Sequence, residues 1–250
     1  MNGVDLGPIT LPLLEGLIVL ATHVPLGREV LRRGIVFIDL AVAQIAGLGV
    51  VAAHALGWHA EGWETQLAAA TAALAAAGGL TWMERRWPDI LEPLIGSLFI
   101  LAASLTALLS AHDPHGSERL RDLLVGQILW VADAQLLAAG ALSALILALW
   151  WAAGRRHPWV FYPCLALAVT ASVQLVGIYL VFASLILPAL AVRGQRGSNA
   201  LLSAYLLGAL AYLTGLLASA RLDLPAAPLI VLALAATALI WGGARRRAKM

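Results

Sequence analysis

The chain has 250 residues, of which 61% are hydrophobic and 12% charged, about half the charged fraction of a soluble domain. With a mean hydropathy of +0.87, it is excluded from the water-soluble enzymes, and lipid is its main solvent. The net charge of +2 does not point to nucleic acid, because the cations stand between apolar runs, where they set membrane topology.

Apolar runs cover 7–25, 35–57, 65–83, 89–110, 131–152, 159–175, 177–192, 200–220 and 226–243, with Gly, Pro or charge clusters between them. They predict an all-α, polytopic transmembrane bundle of eight or nine membrane helices, forming a single domain over 1–250. The first run carries Glu15 near its middle and has no Lys or Arg before Arg28. It therefore lacks the basic flank of a cleaved signal and reads as a retained helix.

The second run holds the most informative residue. Placing an Asp near the bilayer centre costs about 2.5–3.5 kcal/mol, so Asp39 needs a reason to be there. At about 100° per residue, Asp39, Ala43, Gly47, Val50 and His54 share one mostly small face. A carboxylate and an imidazole along one lane suit a divalent cation moving through a bundle. The competing reading pairs Asp39 with Arg32, Arg33 or a helix N-terminus. Gln44 and His59 are weaker candidate ligands, Gln44 beside Ala43 and His59 in a loop with Glu61 and Glu64.

The third run is rich in Ala and Gly, which lets helix backbones approach closely in lipid. Glu92 opens the fourth, and the loop that follows reads His112-Asp113-Pro114-His115-Gly116-Ser117-Glu118, a polar stretch without the spacing of a closed metal site. Gln135 and Gln174 lie in later runs, where interhelical hydrogen bonding is the simplest role. The two runs flanking Gly177 have about sixteen residues each, roughly 24 Å at 1.5 Å per residue, which suits broken or re-entrant helices. Cys164 is the single cysteine, so neither a disulfide framework nor a thiolate cluster is available.

Cation placement orients the chain. With the N-terminus outside, inner loops hold thirteen of the sixteen cations, leaving only Arg119, Arg121 and Arg221 outside. Trp58, Trp63, Trp82, Trp87, Trp130, Trp150, Trp151, Trp159 and Trp241 all fall near predicted helix ends, where amphipathic rings meet headgroups. Lys249 is the only lysine, so neither a P-loop nor a Schiff-base lysine within the membrane is available, and no Gly-x-Ser-x-Gly elbow occurs. The chain is not expected to be an enzyme.

Five segments, in order, resemble the permease subunit of bacterial zinc and manganese ABC importers. They are Gly27-Arg28-Glu29-Val30-Leu31-Arg32-Arg33 through Phe37 and Asp39; Glu92-Pro93-Leu94-Ile95-Gly96; Leu123-Leu124-Val125-Gly126-Gln127-Ile128-Leu129; Gly177-Ile178-Tyr179-Leu180-Val181 through Leu185-Ile186-Leu187-Pro188-Ala189; and Leu222-Asp223-Leu224-Pro225-Ala226-Ala227-Pro228. The resemblance implies a homodimeric permease in the bacterial inner membrane, with a periplasmic N-terminus and a cytoplasmic C-terminus. It would take divalent metal, zinc first and manganese next, from a periplasmic binding protein. A separate cytoplasmic ATP-binding subunit would drive it, and no cofactor would be permanently bound.

Two departures bear on function. The family has a His one turn after the Asp, where this chain has Ala43, so either another residue such as His54 compensates or the cargo differs. An acidic coupling segment of the family is replaced by Gly154-Arg155-Arg156-His157-Pro158, which makes Arg155, Arg156 and His157 the candidate ATPase contacts. Glu84-Arg85-Arg86 and Arg193-Gly194-Gln195-Arg196-Gly197 are the alternatives. Two rival readings follow from these departures: the same scaffold carrying a metal chelate or other small solute, and a membrane assembly or regulatory subunit that transports nothing.

Overall fold

A computed structural model describes residues 7–55, 58, 63–110, 124, 126, 128–130, 133–154, 157–195 and 197–247. Among them the chain is helical, with no strand. The helices are α1 (Gly7–Arg33), α2 (Ile38–Ala55), α3 (Trp63–Arg86), α4 (Leu91–Ser110), α5 (Asp133–Leu149), α6 (Phe161–Val176), α7 (Ile178–Ala191), α8 (Ser198–Leu222) and α9 (Ala226–Arg247). Five segments, Ile9–Arg33, Pro88–Leu109, Asp133–Gly154, Ser198–Leu222 and Ala226–Arg245, are long and apolar enough to cross a membrane, while α2, α6 and α7 are apolar but shorter. The protein is a polytopic helical membrane bundle.

Each predicted run lands on a helix, with shifts of a few residues at most ends and one larger extension. The first helix does not stop at Pro25 but runs on to Arg33. A helical Pro has no N–H for the carbonyl four residues back, and here that carbonyl, Ala21, accepts a 2.9 Å hydrogen bond from the Tyr205 hydroxyl of α8. The neighbouring helix supplies the donor that Pro25 lacks, so α1 continues.

Helix ends show how the chain alternates. Arg33 pairs with Glu84 at 2.9 Å, joining the ends of α1 and α3, and its guanidinium sits 4.4 Å from the ring centroid of Phe161, at the start of α6. A cavity of about 830 Å³ between Arg28, Trp151, Val192, Arg193 and Ser198 brings in the end of α7, the start of α8 and Trp151, just past the end of α5. Arg193 and Arg245 line an adjoining cleft, so α9 ends there too. The Phe37 amide just before α2 donates to Glu92 Oε1 of α4 at 3.2 Å. Successive helices therefore run in opposite directions, including the short pair α6 and α7, as the nine-run reading requires.

Gly177 alone joins α6 to α7, with φ 78°, a region that glycine adopts without strain. The segment around Gly126 closes over this junction. A Cβ on Gly126 would fall 2.2 Å from the Val176 carbonyl carbon. Close packing also fixes α1 on α7, because a Cβ on Gly27 would lie 1.9 Å from the Leu185 oxygen. Lipid supplies no hydrophobic drive between helices, so such backbone contact carries the association.

Arg33 makes the main polar tie, donating to Glu29 at 2.8 Å and to Glu84 at 2.9 Å with 11% of its side chain exposed. Removing one member of a buried pair leaves the other uncompensated. Arg33→Met is expected to cost about 2 kcal/mol, a fall of roughly 4–8 °C in Tm for a chain of this size. Arg32→Met should change little, since Arg32 is 71% exposed. Thermal unfolding of the detergent-solubilised variants checks the contrast.

Candidate cation site

Asp39 is the second residue of α2 and is 1% exposed. Neither carboxylate oxygen accepts a hydrogen bond of ordinary geometry. The reason is visible in its neighbours. Arg32 Nε is held by Glu29 Oε2 at 2.7 Å, and Arg33 is held by Glu29 and Glu84. Both cations that the sequence offers to Asp39 are committed elsewhere. The favourable field of the α2 N-terminus is what remains to hold the carboxylate.

Further along the same face, Ala43 is 1% exposed and Gly47 is buried, giving a lane of small residues. Gln44 is 8% exposed and follows Ala43 in sequence. His54 is on the same helix but fifteen residues on, about 22 Å at 1.5 Å per residue, and it is half-buried. The structure therefore keeps Asp39 and Ala43 on one buried face, with Gln44 buried but about 140° around the helix from Asp39 and His54 at the far end. His59 lies outside the described residues. Among the described residues no three His, Cys, Asp or Glu side chains gather into a metal-holding cluster.

Two further interior groups carry unpaired polar atoms. Glu15 is fully buried, with neither oxygen hydrogen-bonded. The Tyr212 ring lies against the adjacent Gly16, and its hydroxyl shares a 2.8 Å hydrogen bond with Ser184. His23 is also fully buried. Its Nδ1 is 2.9 Å from the Val19 carbonyl, where it can only donate, so Nε2 carries the lone pair and is buried without a partner. His23 is absent from the sequence reading, although an imidazole inside an apolar run is a detectable signal. Gln135 is exposed and Gln174 half-buried. Cys164 is free and buried.

At the basic end, α5 continues through a π-helical turn, Trp150–Gly154. Arg155 and Arg156 lie outside the described residues. His157 is exposed, its amide donates to the Ala153 carbonyl at 2.8 Å, and a short turn, Pro158–Val160, leads straight into α6. Of the alternative contact segments, Glu84 is engaged by Arg33, while Arg193, Gly194, Gln195 and Gly197 line the cavity shared with Arg28 and Arg32.

Comparison with known proteins places this geometry. The model of the ABC 3 transport family matches residues 9–157 and 153–242. No curated protein matches the sequence. Among solved structures, PsaBC from Streptococcus pneumoniae in complex with Fab shares the fold, with a TM-score of 0.77 at 22% identity over 95% of this chain and 91% of that one. An inward-facing metal-chelate type ABC transporter aligns with a TM-score of 0.68 at 18% identity, covering 89% of this chain and 81% of that one.

A buried carboxylate without a fixed partner is a burden on the resting fold. Asp39→Asn is therefore expected to leave Tm unchanged or raise it by a few degrees. A substantial fall in thermal unfolding would mean that Asp39 holds the bundle together instead.

Proposed function

This chain belongs to the ABC 3 transport family, and from that membership we propose that it is the membrane permease of an importer of divalent metal, zinc or manganese. The observation that carries the proposal is Asp39, an interior carboxylate that no cation among the described residues neutralises. A negative group kept unpaired in a bundle of small residues attracts a cation without binding it permanently. With two carboxylates or fewer per chain at such a point, release stays easy.

The energy source follows from what the chain lacks. Lys249 is its only lysine, so a P-loop is impossible within it, and ATP hydrolysis falls to a separate subunit. That subunit would dock where Arg28, Arg32 and Arg193 surround the open cavity, with the exposed His157 close to the same end. Such an end is cytoplasmic by the usual retention of cations. The N-terminus of α1 is then periplasmic, in a bacterial inner membrane, facing a metal-binding protein that delivers the cargo. A second copy of the chain would complete the passage, since each chain brings only part of a ligand set to Asp39.

One observation favours a second reading. Ala43 puts a methyl group where an imidazole would help grip a bare transition metal, and one of the structural relatives is of metal-chelate type. A chelated metal or other small solute would need fewer protein ligands.

Uptake of radioactive zinc and manganese by cells carrying the permease, its ATPase and its binding protein tests the main reading. Asp39→Asn is expected to lower uptake at least tenfold with the protein level unchanged. Wild-type uptake in that variant removes Asp39 from transport. Uptake of a chelate but of neither free ion favours the second reading.

A further inference from the structure

Asp39 is not the only acid at the start of α2. Glu92, in the first turn of α4, reaches across to that start, where its Oε1 accepts the Phe37 amide at 3.2 Å. This contact fixes the side chain two residues from Asp39 in sequence. Its second oxygen, Oε2, is buried and has no hydrogen-bond partner. Glu92 is near enough for its charge to bear on that of Asp39, and among the described ion pairs none includes either residue. Glu92 Oε2 thus stands unpartnered in the neighbourhood of Asp39, whose own oxygens have no partner beyond the Asp39 and Leu40 amides at the α2 N-terminus.

We propose that Glu92 is the second carboxylate ligand of the cation passage, forming with Asp39 an all-oxygen site suited to hard divalent ions such as Mn²⁺. This rests on the reading of Asp39 as lining the passage. Two like charges in one neighbourhood repel, and a divalent ion held by both removes the repulsion. The arrangement also accounts for the missing imidazole. Ala43, one turn beyond Asp39, offers only a methyl group and is 1% exposed, so the two acids supply the oxygen ligands. Carboxylates and carbonyls suit manganese, whereas nitrogen or sulfur ligands help select zinc. The site therefore admits manganese without giving zinc the extra hold of an imidazole. Glu29 and Glu84 cannot serve in this way, because both are bound to arginine.

Mn²⁺ binding to the full-length permease with its ATPase subunit, in nanodiscs, is measured by electron paramagnetic resonance with Zn²⁺ competition. Glu92→Gln keeps the carbonyl that accepts the Phe37 amide and loses only the charge. It is expected to weaken Mn²⁺ binding tenfold or more with Tm unchanged, as Asp39→Asn does, while Ala43→His raises the Zn²⁺ to Mn²⁺ affinity ratio tenfold or more. Wild-type Mn²⁺ affinity in Glu92→Gln, with binding lost in Asp39→Asn, overturns the role of Glu92 and leaves Asp39 in place. Wild-type affinity in both variants overturns the passage itself. Should Glu92→Gln not fold, Glu92→Asp, with its charge withdrawn by one methylene, decides the question: weakened binding supports the proposal, and wild-type affinity overturns it.

Discussion

Arg33 sets the charge balance on which the interior depends. It bridges Glu29 and Glu84 and lies over the rings of Phe161 and Tyr162, 4.4 and 5.5 Å from their centroids. A single guanidinium thereby joins α1, α3 and α6, using its planar fork on two carboxylates and its face on two rings. Because it is held this way, it cannot reach Asp39. With Glu29 and Glu84 both on its guanidinium, Arg33 is engaged at the helix ends, and the carboxylate six residues downstream keeps no arginine partner among the described ion pairs. The latch at the helix ends and the unpaired acid inside are two sides of one arrangement.

The same economy governs the backbone. A proline in a membrane helix frees a carbonyl that lipid cannot satisfy, and the Tyr205 hydroxyl meets the one freed by Pro25. The turn at Gly177 sits against Gly126, so it is covered by protein. Among the buried polar atoms that remain without partners, those of Glu15, His23 and Asp39 belong to side chains at most 1% exposed. Polar groups left open in this way inside a membrane protein mark the part that serves function.

Much of the architecture is legible from the sequence because the bilayer imposes a length and a charge rule on every crossing. The apolar runs fall on the helices, and the alternation of cations matches the alternation of helix ends. The break at Gly177 is readable from two runs too short to span. Asp39 stands out by its cost. What is not legible depends on helix rotation and distant contact. Arg33 and Glu84 are 51 positions apart, and Glu92 and Phe37 are 55 apart, so no local spacing reveals either meeting. Glu92 reads alone as an acid early in a helix that lines the interior or hydrogen-bonds a neighbouring helix. His54 shares a helical face with Asp39, yet face periodicity says nothing of the length of helix between them. The continuation of α1 past Pro25 is hidden too, because the hydroxyl that satisfies the freed carbonyl comes from α8.

The central claim is that the unpaired carboxylate of Asp39 faces a passage that opens and closes, and thiol accessibility at the next turn tests it most directly. With Cys164→Ser as background, Ala43→Cys in native membranes is exposed to a small, water-soluble thiol reagent. The assembled transporter is studied without nucleotide and again when trapped with ATP. The account predicts labelling that changes between the two states and is slowed by divalent metal. A thiol that stays unreactive in both states, with metal making no difference, would contradict it.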